Sequence, residues 1–302
     1  MRISSLYHSS SMLHQMNQNG ARLSKLMEQM ATQKRVNVPS DDPVASSRLV
    51  QLNREQSAIN QYQNNITRLS GNLAIQESHT TALSNQLLAL SDKLLAASND
   101  THSEKDMQGF GSELAAMLES MVAVMNARNE DGHYLFSGTK STTQPVVFDT
   151  ASGSWIYQGN DATRSTTVAN GVEVVENTAL GGALSSVGND LSMLNLLKTV
   201  TDKMNTPGSD YRTDLKQLLG EVKSSSDKVS ALFTELGGKQ NRLTLLGEAH
   251  EDVSLANEGV IKDLSALDAA TSYVNIQLYT QAVQASNKSY LMISQLSLFN
   301  QM

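Results

Sequence analysis

Leu52-Asn53-Arg54-Glu55-Gln56-Ser57-Ala58-Ile59 opens the stretch whose reading decides the fold. From it onward Leu52, Ile59, Ile66, Leu73, Thr80, Leu87 and Leu94 stand seven residues apart without a skip. Tyr62, Leu69, Leu83, Leu90 and Ala97 follow this line three positions later. Apolar residues alternating at three and four lie along one face of an α-helix. At 1.5 Å per residue the helix is roughly 60–70 Å long, more than a small globule can bury. It therefore needs an equally long partner.

The first candidate is Met107, Phe110, Leu114, Met117, Met121 and Val124, which keeps the same alternation and ends near Asp131-Gly132. The second lies far along the chain. Leu215, Val222, Val229, Leu236 and Leu243 hold one seven-residue frame, which returns at Leu264, Leu278, Ala285, Met292 and Phe299. Leu218, Leu232, Leu246, Val253, Val260, Leu267 and Val274 form its companion line, with His250, Asn257 and Thr271 as polar lapses. Gly237-Gly238 within this frame is expected to mark strain or close packing. Leu52, Ile59, Ile66, Leu73, Leu87, Leu94, Leu215, Val222, Val229, Leu236 and Leu243 are the candidate core of a helical rod.

The two ends read differently. Leu6, Leu13 and Met27 share one seven-residue line, with Gly20 in the missing slot, and Met16, Leu23 and Met30 form the second. Between Ile3 and Ala21 there is no Lys, Arg, Asp or Glu, and past Asp268 the only charged side chain is Lys288. The last segment carries a further apolar line, Ile276, Tyr279, Val283, Tyr290 and Ile293. A helix apolar on two faces is not completed by one partner. Leu6, Leu13, Met16, Leu23, Met27, Met30, Ile276, Leu278, Val283, Ala285, Tyr290, Met292, Ile293 and Phe299 are therefore the candidate assembly interface. Such polar, charge-poor ends are expected to lack order in the lone chain and to gain it on association.

Two breaks punctuate the helices. At Val36–Val44, Ser40, Asp41 or Asp42 can cap the following helix, with Pro43 tolerated in its first turn. From Gly132 to Gly188 lie eight of the 18 glycines and the only Trp. Val146-Val147-Phe148 and Trp155-Ile156-Tyr157 flank a turn-like Asp149–Gly153, and Thr166–Val168 and Val172–Val174 flank Asn170-Gly171, a strong hairpin signal. The chain thus divides into a terminal helix (1–43), half a helical rod (44–131), a β-rich insertion (132–188), the other half of the rod (189–268) and a second terminal helix (269–302). The fold class is mainly α, a long antiparallel coiled-coil rod with a small β-rich inserted domain.

Composition narrows the function. The net charge of −7 gives no general affinity for nucleic acid. The absence of cysteine excludes disulfides and thiolate chemistry. No apolar run is long enough to span a bilayer, and Met1-Arg2-Ile3-Ser4-Ser5 leads into polar residues rather than a signal-peptide core. His250-Glu251 opens like a zinc-peptidase motif, but position 254 is Ser where His is required. Asp41-Asp42 beside Pro43 fits a helix cap better than an acid–base pair, and Gly109-Phe110-Gly111 lacks the rest of a nucleotide-binding fingerprint. No catalytic, cofactor-binding or metal-binding residue is assigned, and the expectation is a structural protein rather than an enzyme.

Five segments stand out in order: Met1-Arg2-Ile3-Ser4 with Val38-Pro39-Ser40-Asp41-Asp42-Pro43-Val44-Ala45; Gly132-His133-Tyr134-Leu135-Phe136-Ser137-Gly138-Thr139 with Gln144-Pro145; Tyr157-Gln158-Gly159-Asn160; Leu236-Gly237-Gly238-Lys239-Gln240-Asn241-Arg242-Leu243; and Gln284-Ala285-Ser286 through Phe299. Together they resemble the flagellin superfamily, and within it the branch that joins the hook to the filament. Ala179-Leu180-Gly181-Gly182-Ala183-Leu184 departs from the pattern, which leaves the last strand of the insertion open. The resemblance implies an extracellular flagellar subunit, exported without a cleaved signal and held beforehand by an export chaperone at its C-terminal segment. It also implies a ring of copies between hook-associated protein 1 and flagellin, with no nucleic-acid or membrane partner. Flagellin itself is the alternative in the same class. A coiled-coil signalling rod is the alternative in another, and it would lack the β insertion.

Overall fold

The structure, a computed structural model, describes residues 2–99, 102–181 and 190–299. Its helices are α1 (Arg2–Thr32), α2 (Pro43–Ala97), α3 (Glu104–Met125), α4 (Ser192–Asn205), α5 (Arg212–Ser265) and α6 (Ala269–Phe299). The strands are β1 (Val146–Asp149), β2 (Ser154–Tyr157), β3 (Ser165–Ala169) and β4 (Val172–Val175). This is the mainly α architecture with a small β-rich insertion that the periodicities predict. The chain forms two compact units, one of Met1–Ala58 with Asp252–Met302 and one of Ile59–Glu251. Ala179–Gly181 and Asp190 flank residues 182–189, and the open question about the end of the insertion lies outside the described residues there.

In the unit Ile59–Glu251 the packing follows the seven-residue lines. Leu83, Leu87, Leu90 and Leu94 of α2 share one core with Leu114, Leu118 and Met121 of α3, Leu194 and Leu197 of α4, and Leu215, Leu218, Val222 and Val229 of α5. A second cluster joins Ile66, Leu69 and Leu73 of α2 to Leu236 and Leu243 of α5, with Val168 and Val174 of the hairpin above them. Ile59 is buried too, as is Leu52 in the other unit.

Three expectations need correction. The deepest line of α3 is Met107, Gly111, Leu114, Leu118, Met121 and Met125, while Phe110, Met117 and Val124 are only partly buried beside it. Both readings share the line Met107, Leu114 and Met121; the companion line lies four residues on rather than three, which turns the buried face toward Gly111, Leu118 and Met125. Gly111 belongs to that line because α4 comes close, and an added Cβ would meet Asn205 Oδ1 at 2.6 Å. Gly237-Gly238 is neither strained nor tightly packed: α5 runs straight through it, and a Cβ at either position would meet nothing within 4 Å. The companion line of α5 is fully buried only at Leu218, is partly buried at Leu232 and Leu246, and is exposed at Val253, Val260 and, in α6, Val274.

Both hairpins form as read. β1 pairs antiparallel with β2, Val147 opposite Ile156, and β3 pairs with β4, Thr166 opposite Val174. Gly153 and Gly171 take φ of 69° and 70° in the two turns, where a side chain would be strained. The hairpins are tied to the helices by polar side chains. Asn126 exchanges two hydrogen bonds of 2.9 Å with the backbone of Val146. Asn65 Nδ2 donates to Thr167 O at 2.9 Å, and Gln76 Nε2 donates to Glu176 O at 2.8 Å. His250, the polar lapse in the α5 frame, stacks on Tyr62 with ring centroids 5.4 Å apart and donates from Nε2 to Val168 O at 2.8 Å. Its role is to join hairpin and helices.

The glycine-rich motifs of the insertion meet at one point. The Tyr157 hydroxyl donates to Phe136 O at 2.8 Å, and its ring lies against Gly159 and Gly181, where any Cβ would collide with it. Burial, and then the Asp161 carboxylate, push the Tyr157 phenol up from its usual range. Gly138, at φ 70°, sits under the carbonyl of Asn160, whose side chain accepts from Thr139 N at 2.8 Å. Arg128 stacks over the Tyr134 ring, 4.3 Å from its centroid.

Leu90 and Leu95 test the helical seam, because they lie on one helix but differ in exposure, 0% against 56%. Leu90→Ala should cost about 3 kcal/mol of unfolding free energy. Leu95→Ala should cost less than about 0.5 kcal/mol. Urea unfolding followed by circular dichroism measures both.

Candidate assembly interface

In the unit Met1–Ala58 with Asp252–Met302, α1 and α6 pack against each other. On α1 the half-buried side chains are Met12, Met16, Asn19, Leu23, Leu26 and Met30, alternating at four and three. Of the two apolar lines, Met16, Leu23 and Met30 therefore face inward, while Leu13 and Met27 look outward at 36% and 51% exposure. On α6, Ser272 is buried, and Ile276, Tyr279, Val283, Ser286 and Tyr290 are half-buried at the same spacing. Val274, Leu278, Ala285 and Met292 form a stripe on the opposite side, and all are exposed. The side chains of Leu6, Ile293 and Phe299 lie outside the described residues.

The frame running from Leu243 through Leu264 to Leu278 is thus not one continuous seam. α5 stops at Ser265, and Asp268 starts a new helix, its carboxylate accepting from Thr271 N at 3.1 Å. Three residues outside the helix reset the rotation, so a line that is buried in α5 continues as an exposed one in α6.

The turn between α1 and α2 is fixed by charge. Gln33, at φ 56°, ends α1. Asp41 Oδ2 accepts from the backbone N–H groups of Asn37 and Val38 at 3.0 and 3.1 Å, and its Oδ1 meets Lys25 Nζ at 2.7 Å. Lys25, followed by those two amides, holds the Asp41 carboxyl down at about 2. Asp42 caps α2, accepting from Ala45 N at 3.0 Å, with Pro43 in the first turn. That amide, and then the Arg35 guanidinium at 3.0 Å, hold Asp42 below the usual carboxylate range. Arg35 also ties the turn to the end of α5: its backbone N–H donates to Ser265 O at 2.8 Å, and Nη2 donates to Leu264 O at 3.1 Å. The aspartate pair thus caps and anchors.

Burial separates the two units sharply. Among the described residues only Val36, Ala45 and Leu52 of the buried hydrophobic side chains belong to the unit of the two ends; the others lie in Ile59–Glu251. The large hydrophobic side chains that remain exposed show the reverse. Leu88, Leu95, Phe233 and Leu245 belong to Ile59–Glu251, while Tyr7, Val38, Val44, Val50, Leu255, Tyr273, Leu291 and others belong to the unit of the ends. Large apolar side chains left exposed in such numbers on one unit point to interaction surfaces. Among the described residues no group of three or more His, Asp or Glu is placed to hold a metal ion. No helix among them is long and apolar enough to cross a membrane.

Paired, charge-poor end helices in one unit, and a well-packed helical bundle with a β insertion in the other, define a structural protein of helical-rod type. The model of the bacterial flagellin N-terminal helical region matches residues 3–141. A solved flagellar hook-associated protein of Vibrio parahaemolyticus is 33% identical, with a TM-score of 0.69, over 75% of this chain and all of that one. Flagellar hook-associated protein 3 of Escherichia coli is 27% identical over 96% of this chain and 98% of its own, and that of Salmonella typhimurium is 25% identical over the same shares. The hook-associated protein 3 structure from Legionella pneumophila, 18% identical with a TM-score of 0.64, shares the fold. The chain belongs to the flagellin superfamily, and within it to the flagellar hook-associated protein 3 family. Its place is the flagellum, and its role there is structural.

The Asp41 anchor carries a pH dependence. Its folded pKa of about 2 lies below the ordinary 3.8, so its contribution is present above the ordinary value and is lost as pH falls through about 2. Asp41→Asn should remove that dependence and raise the exchange rates of the Asn37 and Val38 amides at neutral pH, which hydrogen-exchange mass spectrometry over residues 33–45 reads directly.

Proposed function

We propose that this chain is a non-catalytic adaptor that joins the hook to the filament, as a layer of its own copies between hook-associated protein 1 and flagellin. What supports the reading most is the apolar surface left uncovered on α1 and α6, together with relatives that are themselves hook-associated proteins. A subunit that ended its apolar burial within itself would have no reason to expose Leu278 and Met292 along one helix. Within a ring, Leu6, Leu13, Met27, Leu278, Ala285, Met292 and Phe299 would meet neighbouring copies, while Ile293 falls on the line of Ile276, Val283 and Tyr290. The inward residues Met16, Leu23, Met30, Ile276, Val283 and Tyr290 would hold the pair. The three buried hydrophobic side chains among the described residues of this unit do little to fix the ends of an isolated subunit, so α1 and α6 would order fully only on assembly. Export without a cleaved signal, through a channel that takes unfolded chains, fits a polypeptide without disulfides.

Deletion of the gene should leave cells with hooks but no filaments and release flagellin into the medium, seen by electron microscopy and immunoblot. Intact filaments would contradict the adaptor role.

Before export, the stripe Val274, Leu278, Ala285 and Met292 would be a hazard in the cytoplasm, and a chaperone helix laid along it would cover it. The same stripe would later be covered in the ring, so chaperone binding and assembly would exclude each other. Met292→Glu places a carboxylate against an apolar partner in either complex and should weaken both by several kcal/mol (roughly two or more decades in affinity). Asn287→Asp, exposed on another side of α6, should change neither by more than about twofold. Chaperone pull-down and a motility assay with the two variants decide the point; a Met292→Glu chain that binds and assembles normally would end the shared-surface reading.

A further inference from the structure

The unit Met1–Ala58 with Asp252–Met302 carries two exposed apolar surfaces of opposite charge. The first is on α2. Pro43, Ser46, Val50 and Arg54 recur at three- and four-residue spacing, and with Pro39 and Gln51 they line a groove of about 640 Å³. At about 100° per residue this is the face opposite Ala45 and Leu52, the two buried positions of the same stretch. Val50 is 49% exposed, and Arg48 leans onto the groove rim, its Nη1 donating to Gln51 Oε1 at 3.0 Å. The groove has an apolar strip of Pro39, Pro43 and Val50, flanked by Ser46, Ser47 and Gln51, and a basic edge.

The second surface is on α5. Gln56 of α2 donates to Ser254 at 2.5 Å, and Asn257 is buried, so this side of α5 faces α2. About half a turn round the helix lie Asp252, Leu255, Gly259 and Asp263. Leu255 is 70% exposed, and a Cβ added at Gly259 would meet nothing within 4 Å. The result is one apolar knob with open space beside it and a carboxylate on either side, with the exposed Lys262 two turns beyond Leu255 on the same face. Among the described residues no ion pair engages Arg54, Asp252 or Asp263.

We infer that these two surfaces dock on one another between copies of this chain: the α2 groove of one subunit receives Leu255 of the next, with Arg48 and Arg54 set against Asp252 and Asp263. The inference rests on the layer-forming reading above and names the seam through which the layer is made. A second copy is the occupant because each surface supplies what the other lacks. Two α2 grooves face to face would bring arginine against arginine, and two α5 surfaces would bring carboxylate against carboxylate. α2 and α5 also turn their inner faces toward each other, so their outer faces lie on opposite sides of the pair. Complementary patches on opposite sides of one subunit make a head-to-tail contact, which repeats from copy to copy as a ring or a helical layer according to the rotation between them. A foreign protein complementary to one surface would leave the other uncovered.

The chain contains no cysteine, so engineered thiols report the contact without background. Flagella isolated from cells carrying the double variant Val50→Cys and Leu255→Cys should give, after mild oxidation, a ladder of dimers and higher oligomers on a non-reducing gel. Either single variant should give none. A double variant that is present in flagella but remains monomeric after oxidation, or joins to a protein of another mass, overturns the seam. Absence of the wild-type chain from purified flagella would instead overturn the layer-forming reading itself. Charge reversal decides the matter independently of the thiols. Arg48→Glu with Arg54→Glu, or Asp252→Arg with Asp263→Arg, should each lower the fraction of filament-bearing cells at least tenfold. The four changes together should restore most of it, and a combined variant no better than either pair overturns the inference.

Discussion

Burial of apolar side chains is distributed very unevenly along this chain, and the rest of the structure depends on that imbalance. Ile59–Glu251 encloses two hydrophobic clusters in which Leu73, Leu87, Leu90 and Leu94 of α2 are wholly inaccessible, as is Leu218 of α5. Hydrophobic burial is worth about 25 cal/mol per Å², and this unit secures nearly all of it without help. The unit built from the chain ends has helices of equal regularity but almost no enclosed core. Under the adaptor reading proposed above, contacts with neighbouring copies would supply the missing burial, and the ends could be carried without polymerising until those neighbours complete them.

Polar side chains hold this arrangement at its weak points. Where helices alone cannot specify geometry, single residues do so: Asp41 and Asp42 set the turn out of α1, Asp268 restarts the helix at α6, and His250 fastens the β3–β4 hairpin. Each sits where a helix ends or where a strand must be fixed to a helix. In these places backbone groups are short of partners, and a carboxylate or imidazole supplies one. The Asp-Asp pair, which could be mistaken for acid–base chemistry, is fully engaged in this way. Likewise Tyr157, pressed between two glycines with its hydroxyl on a carbonyl, is a packing post rather than a reactive phenol.

The functional reading and the seam between copies draw on two kinds of observation. Kinship assigns the chain to the flagellum and to hook-associated proteins. The exposed stripes on α1, α2, α5 and α6 say where such a subunit has surface to offer. Those on α1 and α6 are nearly uncharged, suited to a contact completely enclosed by neighbours. Those on α2 and α5 are edged with Arg and Asp, suited to a contact that must be selective and stay wet at its rim.

Much of this was legible in the sequence. Periodicity of three and four gave α2, α5 and the core positions from Leu52 to Leu243, because a buried helix face leaves its mark on every turn. Asn170-Gly171 and the β-branched runs gave both hairpins, since few residues accept positive φ. What the sequence could not show is which of two apolar lines on a helix is covered. Leu13, Met27, Leu278 and Met292 are as apolar as Met16, Leu23, Ile276 and Val283, and only the pairing of α1 with α6 separates them. The restart at Asp268 was hidden for the same reason: a heptad written on paper continues through a turn, whereas a real helix loses its rotation there. Gly237-Gly238 looked like a point of strain, but nothing packs against it. The sequence by itself determined which segments are helices and strands, because backbone geometry and hydrophobic period are local. Tertiary structure alone decided which faces stay open, because that depends on what each helix meets.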